Sequence, residues 1–193
     1  MAVPDFHRMI AKNGAWLAQK VHRLILDVAQ DLRSEQLLVL CPDEPGSLAL
    51  ADYLSVITGL TVNPVPKQSF INRLKDDCSN VHDLLKEHEA QGSLWLKQLR
   101  TASAGQATVI LEEYAVSGGT ARKLVRLLGV LNLRSVCHIA IVDFGSTGRS
   151  NRGVTSRSLY SLQIAPIELT GAANGDFSDI QTRELRDKLQ SVA

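Results

Sequence analysis

Apolar residues recur at Ile10, Leu17, Val21, Leu24, Ile25, Val28 and Leu32. Steps of three, four and seven predict an amphipathic helix over Phe6–Leu32. Asn13-Gly14 is the weak point of that pattern, and a break is expected there. Leu37–Cys41 is wholly apolar, as in a strand covered on both faces. A tight turn, Pro42–Gly46, leads into a predicted helix over Leu48–Ile57 with Leu50, Leu54 and Ile57 on one side. Gly59 ends that helix, and Leu60–Val65 reads as a second strand running to Lys67.

Beyond Lys67 the pattern turns polar. Residues 68–106 hold Asp76-Asp77, helical stretches over Val81–Glu89 and Leu94–Leu99, a break at Gly92-Ser93, and a flexible joint at Thr101–Gly105. A third apolar run, Val109–Leu111, then precedes a helix over Ala121–Leu128 and a long strand over Ser135–Phe144. Gly145–Gly153, rich in Gly, Ser and Arg, is expected to be a mobile loop. Leu159–Leu169 reads as a further strand interrupted by Pro166, and Thr182–Val192 as a closing helix.

Strands alternating with helices predict an α/β fold with a central, mostly parallel sheet. Its ligands are expected beyond the carboxyl ends of the strands, where the loops after Leu40, Val65, Leu111 and Val142 share one rim. The expected organisation is one domain over residues 1–193. Segments 34–67 and 107–145 form the sheet region, and 68–106 is an insert or flexible loop. Segments 1–33 and 154–193 are flanking or hood elements.

Composition narrows the chemistry. The chain has 193 residues, 45% of them hydrophobic and 21% charged, which is ordinary for a globular protein. A net charge of +1 gives no global argument for nucleic acid or acidic lipid as a partner. No run approaches the ~18 apolar residues a membrane helix needs, and the N-terminus lacks the basic-then-apolar build of a secretory signal. Cytoplasmic residence is the default expectation. Cys41, Cys78 and Cys137 form no CxxC pair, and Cys41 and Cys137 read as buried reduced thiols. The five histidines have no metal-ligand spacing, and nothing resembles a nucleophile elbow.

The stretch Thr108–Thr120 carries the most chemistry. Its apolar run delivers two adjacent carboxylates, Glu112 and Glu113, to a strand end, followed by Ser117-Gly118-Gly119-Thr120 and a helix start. Glycines let backbone N–H groups approach an anion, and a helix N-terminus favours negative charge. The hydroxyls of Ser117 and Thr120 can donate to the same phosphate. The carboxylates can accept hydrogen bonds from vicinal sugar hydroxyls. Read without a ligand, the same residues make a strand, a helix cap and two solvated glutamates. Removing solvated glutamates costs within roughly 0.5 kcal/mol.

This stretch resembles the PRPP-binding signature of type I phosphoribosyltransferases, where PRPP is 5-phosphoribosyl 1-diphosphate. Glu112 and Glu113 match the acidic pair, and Ser117, Gly118, Gly119 and Thr120 match the 5′-phosphate loop, which Ala115 and Val116 lead into. The resemblance implies a small hood over the sheet. It implies that Glu112 and Glu113 stabilise ribose in an oxocarbenium-like transition state, with residues 115–120 holding ribose 5-phosphate. It also implies Mg²⁺ on the diphosphate, a nucleobase as acceptor, and possible homodimers.

Gly46 and Ser47, at a helix start, occupy the place of the family's diphosphate loop, although Asp43 and Glu44 depart from the small or basic residues usual there. A capped surface turn fits them equally well. Lys67 stands where a basic residue faces the diphosphate, or is a solvated lysine. The insert bearing Arg73 and Lys75 has the position of the family's flexible catalytic loop, or is an ordinary two-helix insertion. Phe144 is available to stack on a base, and Tyr114 is unusual within the signature.

Two functions follow. One is a phosphoribosyltransferase that displaces diphosphate from PRPP with a nucleobase nitrogen. The other is a non-catalytic regulatory protein that binds PRPP or a nucleoside monophosphate. A different enzyme acting on a phosphorylated ribose is a third, weaker idea. No membrane or nucleic-acid partner is expected.

Overall fold

The computed structural model describes residues 3–31, 37–101, 106–115, 118–133, 136–143 and 155–161. The elements run α1 (Val3–Asp31), β1 (Leu37–Pro42), α2 (Pro45–Thr58), β2 (Val62–Val65), a 3₁₀ turn (Ile71–Arg73), α3 (Val81–Ala90) and α4 (Leu94–Thr101). They continue with β3 (Ala107–Ala115), α5 (Gly119–Val130), β4 (Val136–Asp143) and β5 (Thr155–Ser161). The five strands lie in the order β2-β1-β3-β4-β5, and every neighbouring pair is parallel.

Alternation along the strands builds two cores. Val39, Cys41, Val109, Leu111, Cys137, Ile139 and Ile141 face α1 and α2. Leu38, Leu40, Val65 and Ile110 face the 3₁₀ turn, α3, α4 and α5. Burying each such aliphatic side chain stabilises the fold by about 1.5–3 kcal/mol before the entropy of ordering the chain is counted. Because both faces are covered, the inner strands read as nearly continuous apolar runs.

Helix α1 runs without interruption through Asn13-Gly14, contrary to the expected break. The reason is packing. A Cβ built on Gly14 would lie 2.1 Å from the Tyr53 ring of α2, so glycine is what allows the two helices to approach. Helix α2 begins at Pro45 rather than Leu48, with Glu44 extended as N-cap and proline in the first turn, where its missing N–H costs nothing. Gly59 ends it as expected, at φ 70° in the left-handed region. Strand β2 is shorter than its apolar run, starting at Val62. It sits at a sheet edge, where Pro64 is tolerated.

Residues 68–101 do not stand apart as a loop. Phe70, Ile71, Leu74, Val81, Leu84, Leu85, Trp95, Leu96 and Leu99 are buried in the second core. Arg73 holds Glu87 through two hydrogen bonds, at 2.7 and 2.8 Å. Strand β5 pairs with β4 from Cys137↔Thr155 onward, beginning before the predicted Leu159. Its Thr-Ser-Arg-Ser start carries no apolar signal, and the hydrogen-bonding edge of β4 defines it. The expected loop over Gly145–Gly153, the closing helix over Thr182–Val192 and Phe144 lie outside the described residues, as do the ends of the predicted strand over Ser135–Phe144.

Candidate functional site

Strand β1 has β2 on one side and β3 on the other, so the sheet grows from it in both directions. In open parallel sheets such a point leaves a crevice at the carboxyl ends of the diverging strands. Here the segments that leave this point are Asp43 and Glu44 after β1, the end of β3, and Gly118 at the start of α5.

The acidic pair lies inside β3 rather than at its end. The register with β4 continues through Glu112↔Ala140 and Tyr114↔Val142 to Ala115↔Asp143, drawing both glutamates into the sheet. Glu112 is 5% exposed and Glu113 3%, so neither is a solvated carboxylate. As neighbours on a strand they point to opposite faces.

On the α5 face, Glu112 Oε2 lies 2.7 Å from His138 Nε2, and His138 is fully buried in β4. A carboxylate taken out of water needs such a partner, because its desolvation otherwise costs several kcal/mol. On the α2 face, the Glu113 carboxylate lies against Gly46. A Cβ at Gly46 would fall 1.8 Å from Glu113 Oε2. Burial pushes the Glu113 carboxyl up to about 7, with the Glu44 charge adding to the rise and Lys67 opposing it.

Lys67, expected to face a diphosphate, is committed within the protein. Its ammonium pairs with the Glu44 carboxylate, and its backbone N–H donates to Asp43 Oδ1 at 2.6 Å. Gly46 and Ser47 are both buried in the first turn of α2. The Glu113 carboxylate lies against Gly46 in that turn.

The start of α5 keeps the expected form. Gly118 is its N-cap at φ 64°, a left-handed conformation that glycine adopts without a Cβ penalty. The Arg122 N–H donates to Gly118 O at 3.0 Å. Ahead of that bond lies the first turn, Gly119, Thr120 and Ala121, whose N–H direction suits an anion. Ala115 is buried at the end of β3. Val116, Ser117 and the Tyr114 side chain lie outside the described residues.

Mg²⁺ was the expected cofactor. Among the described residues no group of three or more His, Cys, Asp or Glu side chains could hold a metal ion. The rim carboxylates are instead turned to Lys67 and Gly46. These residues do not make a metal site of their own. Cys41, buried in β1, has its thiol pushed up to about 12 by desolvation and then by Asp43, Asp52 and Glu44, as an inert thiol requires. Among the described residues, no helix is long and apolar enough to cross a membrane.

Sequence reasoning missed His138 and the Gly46–Glu113 contact. The available signal for the first was a histidine inside an apolar strand. For the second it was strand alternation, which separates adjacent carboxylates once the strand extends past Leu111.

No family model and no curated protein matches this chain. Among solved structures, it is similar to an HGPRT-ase from Leishmania tarentolae in complex with GMP. That match is at 15% identity with a TM-score of 0.42, covering 86% of this chain and 81% of that one.

Proposed function

We propose that this chain is a phosphoribosyltransferase-type protein whose crevice binds the ribose 5-phosphate moiety of a nucleoside 5′-monophosphate or of PRPP. One observation carries the reading. The end of β3, which turns Glu112 toward the α5 face and Glu113 toward the α2 face, leads into the glycine-capped start of α5. The 5′-phosphate would sit at Gly118–Thr120 on the first-turn N–H groups of α5. Glu112, on the same face as α5, would lie beside the ribose hydroxyls.

As a transferase, such a site would hold PRPP in line with a nucleobase nitrogen. The nitrogen forms the new bond to C1′ as the C1′–diphosphate bond breaks; the electron pair leaves with diphosphate, and the nitrogen's proton passes to solvent. Glu112, oriented by His138, is the group best held to stabilise positive charge developing on the ribose.

A second reading, nucleotide binding without turnover, is favoured by a specific observation. Lys67, the cation expected to meet departing diphosphate, is bound to Glu44.

The experiment that separates the two supplies PRPP, Mg²⁺ and a panel of purine and pyrimidine bases, and measures released pyrophosphate. Base-dependent release, slowed by Lys67→Ala, supports the transferase. Binding of nucleoside monophosphates by calorimetry with no release supports the second reading. If neither ribose 5-phosphate nor any nucleoside monophosphate binds, the proposal is wrong.

A further inference from the structure

We infer that Glu113 restricts the crevice to one phosphate position, making a ribose compound with only a 5-phosphate the preferred ligand over one that also carries a 1-diphosphate, such as PRPP. The inference rests on the reading of the crevice as a ribose 5-phosphate site.

Its basis is the placement of Glu113 at the first turn of α2. A helix N-terminus is the natural seat for a second phosphate group. Here the protein's own carboxylate already lies against that turn, within the space a Cβ on Gly46 would need. Glu113 is 3% exposed, so it fills the position from inside the fold rather than swinging across it from solvent.

The surrounding charges act in the same sense. Asp43, Glu44 and Glu113 bring three carboxylates to this corner, and Lys67 is a cation placed among them. Lys67 is held by two of the three, through its ammonium on Glu44 and its backbone N–H on Asp43. A diphosphate would have to displace a buried carboxylate and sit beside two more. Gly118, Gly119, Thr120 and Ala121 at the start of α5 carry no carboxylate of their own, and the ribose 5-phosphate reading puts the single phosphate there.

The test compares affinities of PRPP and a nucleoside 5′-monophosphate by calorimetry at pH 8, where Glu113 is ionised. The native protein should bind the monophosphate at least about tenfold more tightly. Glu113→Gln keeps the shape and removes the charge, and should lower the PRPP-to-monophosphate ratio of dissociation constants by about tenfold. Glu44→Gln, at a partly exposed side chain, should move the ratio the same way by less. It keeps the idea testable if Glu113→Gln fails to fold. Equal or tighter binding of PRPP by the native protein would overturn the inference while leaving the ribose 5-phosphate reading intact. So would a ratio unmoved in every variant that folds. If neither ligand binds native protein or variants, the underlying reading falls and the inference falls with it.

Discussion

Glu112 Oε2 and His138 Nε2 stand 2.7 Å apart on neighbouring parallel strands, both nearly sealed from solvent. The contact is diagonal, since His138 pairs in register with Ile110 and Glu112 with Ala140. Diagonal neighbours on one sheet face are within reach of long side chains, and histidine and glutamate can bridge that gap.

Breaking this pair should be expensive. Removing one partner of a buried hydrogen bond leaves the other unsatisfied, at a cost of about 1–3 kcal/mol, more for a charged group. His138→Leu is therefore expected to lower stability by about 2 kcal/mol in urea unfolding. His138→Gln, which keeps a donor, should cost clearly less. A cost below about 0.5 kcal/mol for His138→Leu would mean that Glu112 finds water instead. The same burial replaces the small cost expected for two solvated glutamates.

Glu113 makes stability depend on pH. Its pKa of about 7 in the folded state lies above the ordinary glutamate value of 4.5. The folded state thus holds a proton that the unfolded state gives up earlier. The Glu113 contribution is fully present below about 4.5 and is lost as pH rises through 7. The loss should be on the order of 3 kcal/mol across that window. Thermal unfolding between pH 5 and pH 8 should show a fall in stability with rising pH that flattens in Glu113→Gln. Parallel curves for the two proteins would refute the assignment.

Gly14→Ala sets two effects against each other. Alanine is the better helix former by about 1 kcal/mol, but its Cβ would fall 2.1 Å from the Tyr53 ring between α1 and α2. Overpacking of this kind costs about 1–3 kcal/mol. We expect net destabilisation, reversed in sign when Tyr53→Ala opens the space. A stabilised single variant in chemical denaturation would show that the helices separate at little cost.

The start of α5 should respond to inorganic phosphate. Backbone amide signals of Gly119, Thr120 and Ala121 are expected to shift on titration, while those at the other end of α5 stay put. Gly118→Ala should weaken the response and cost about 1 kcal/mol, because the backbone there has φ 64°. Shifts spread evenly over surface amides would indicate non-specific binding.

The parts of the fold that depend on local chemistry are legible along the chain. Apolar runs at Leu37–Cys41 and Val109–Leu111 marked strands buried on both faces, Gly59 marked a left-handed helix end, and Gly118 marked a glycine start for α5. Each follows from one residue type or a short run, and neighbours along the chain suffice to specify it. Tertiary structure decided what depends on pairing between distant segments. The register of β3 with β4 extended a short apolar run into a longer strand, sending Glu112 to His138 and Glu113 to Gly46. Packing of α1 on α2 kept a helix continuous through a glycine, and the hydrogen-bonding edge of β4 made a strand of the polar Thr155–Ser161. A one-residue step along a strand reverses the face, so where a strand stops decides where each carboxylate points. That stopping point is set by a partner strand whose pairing no local pattern reveals.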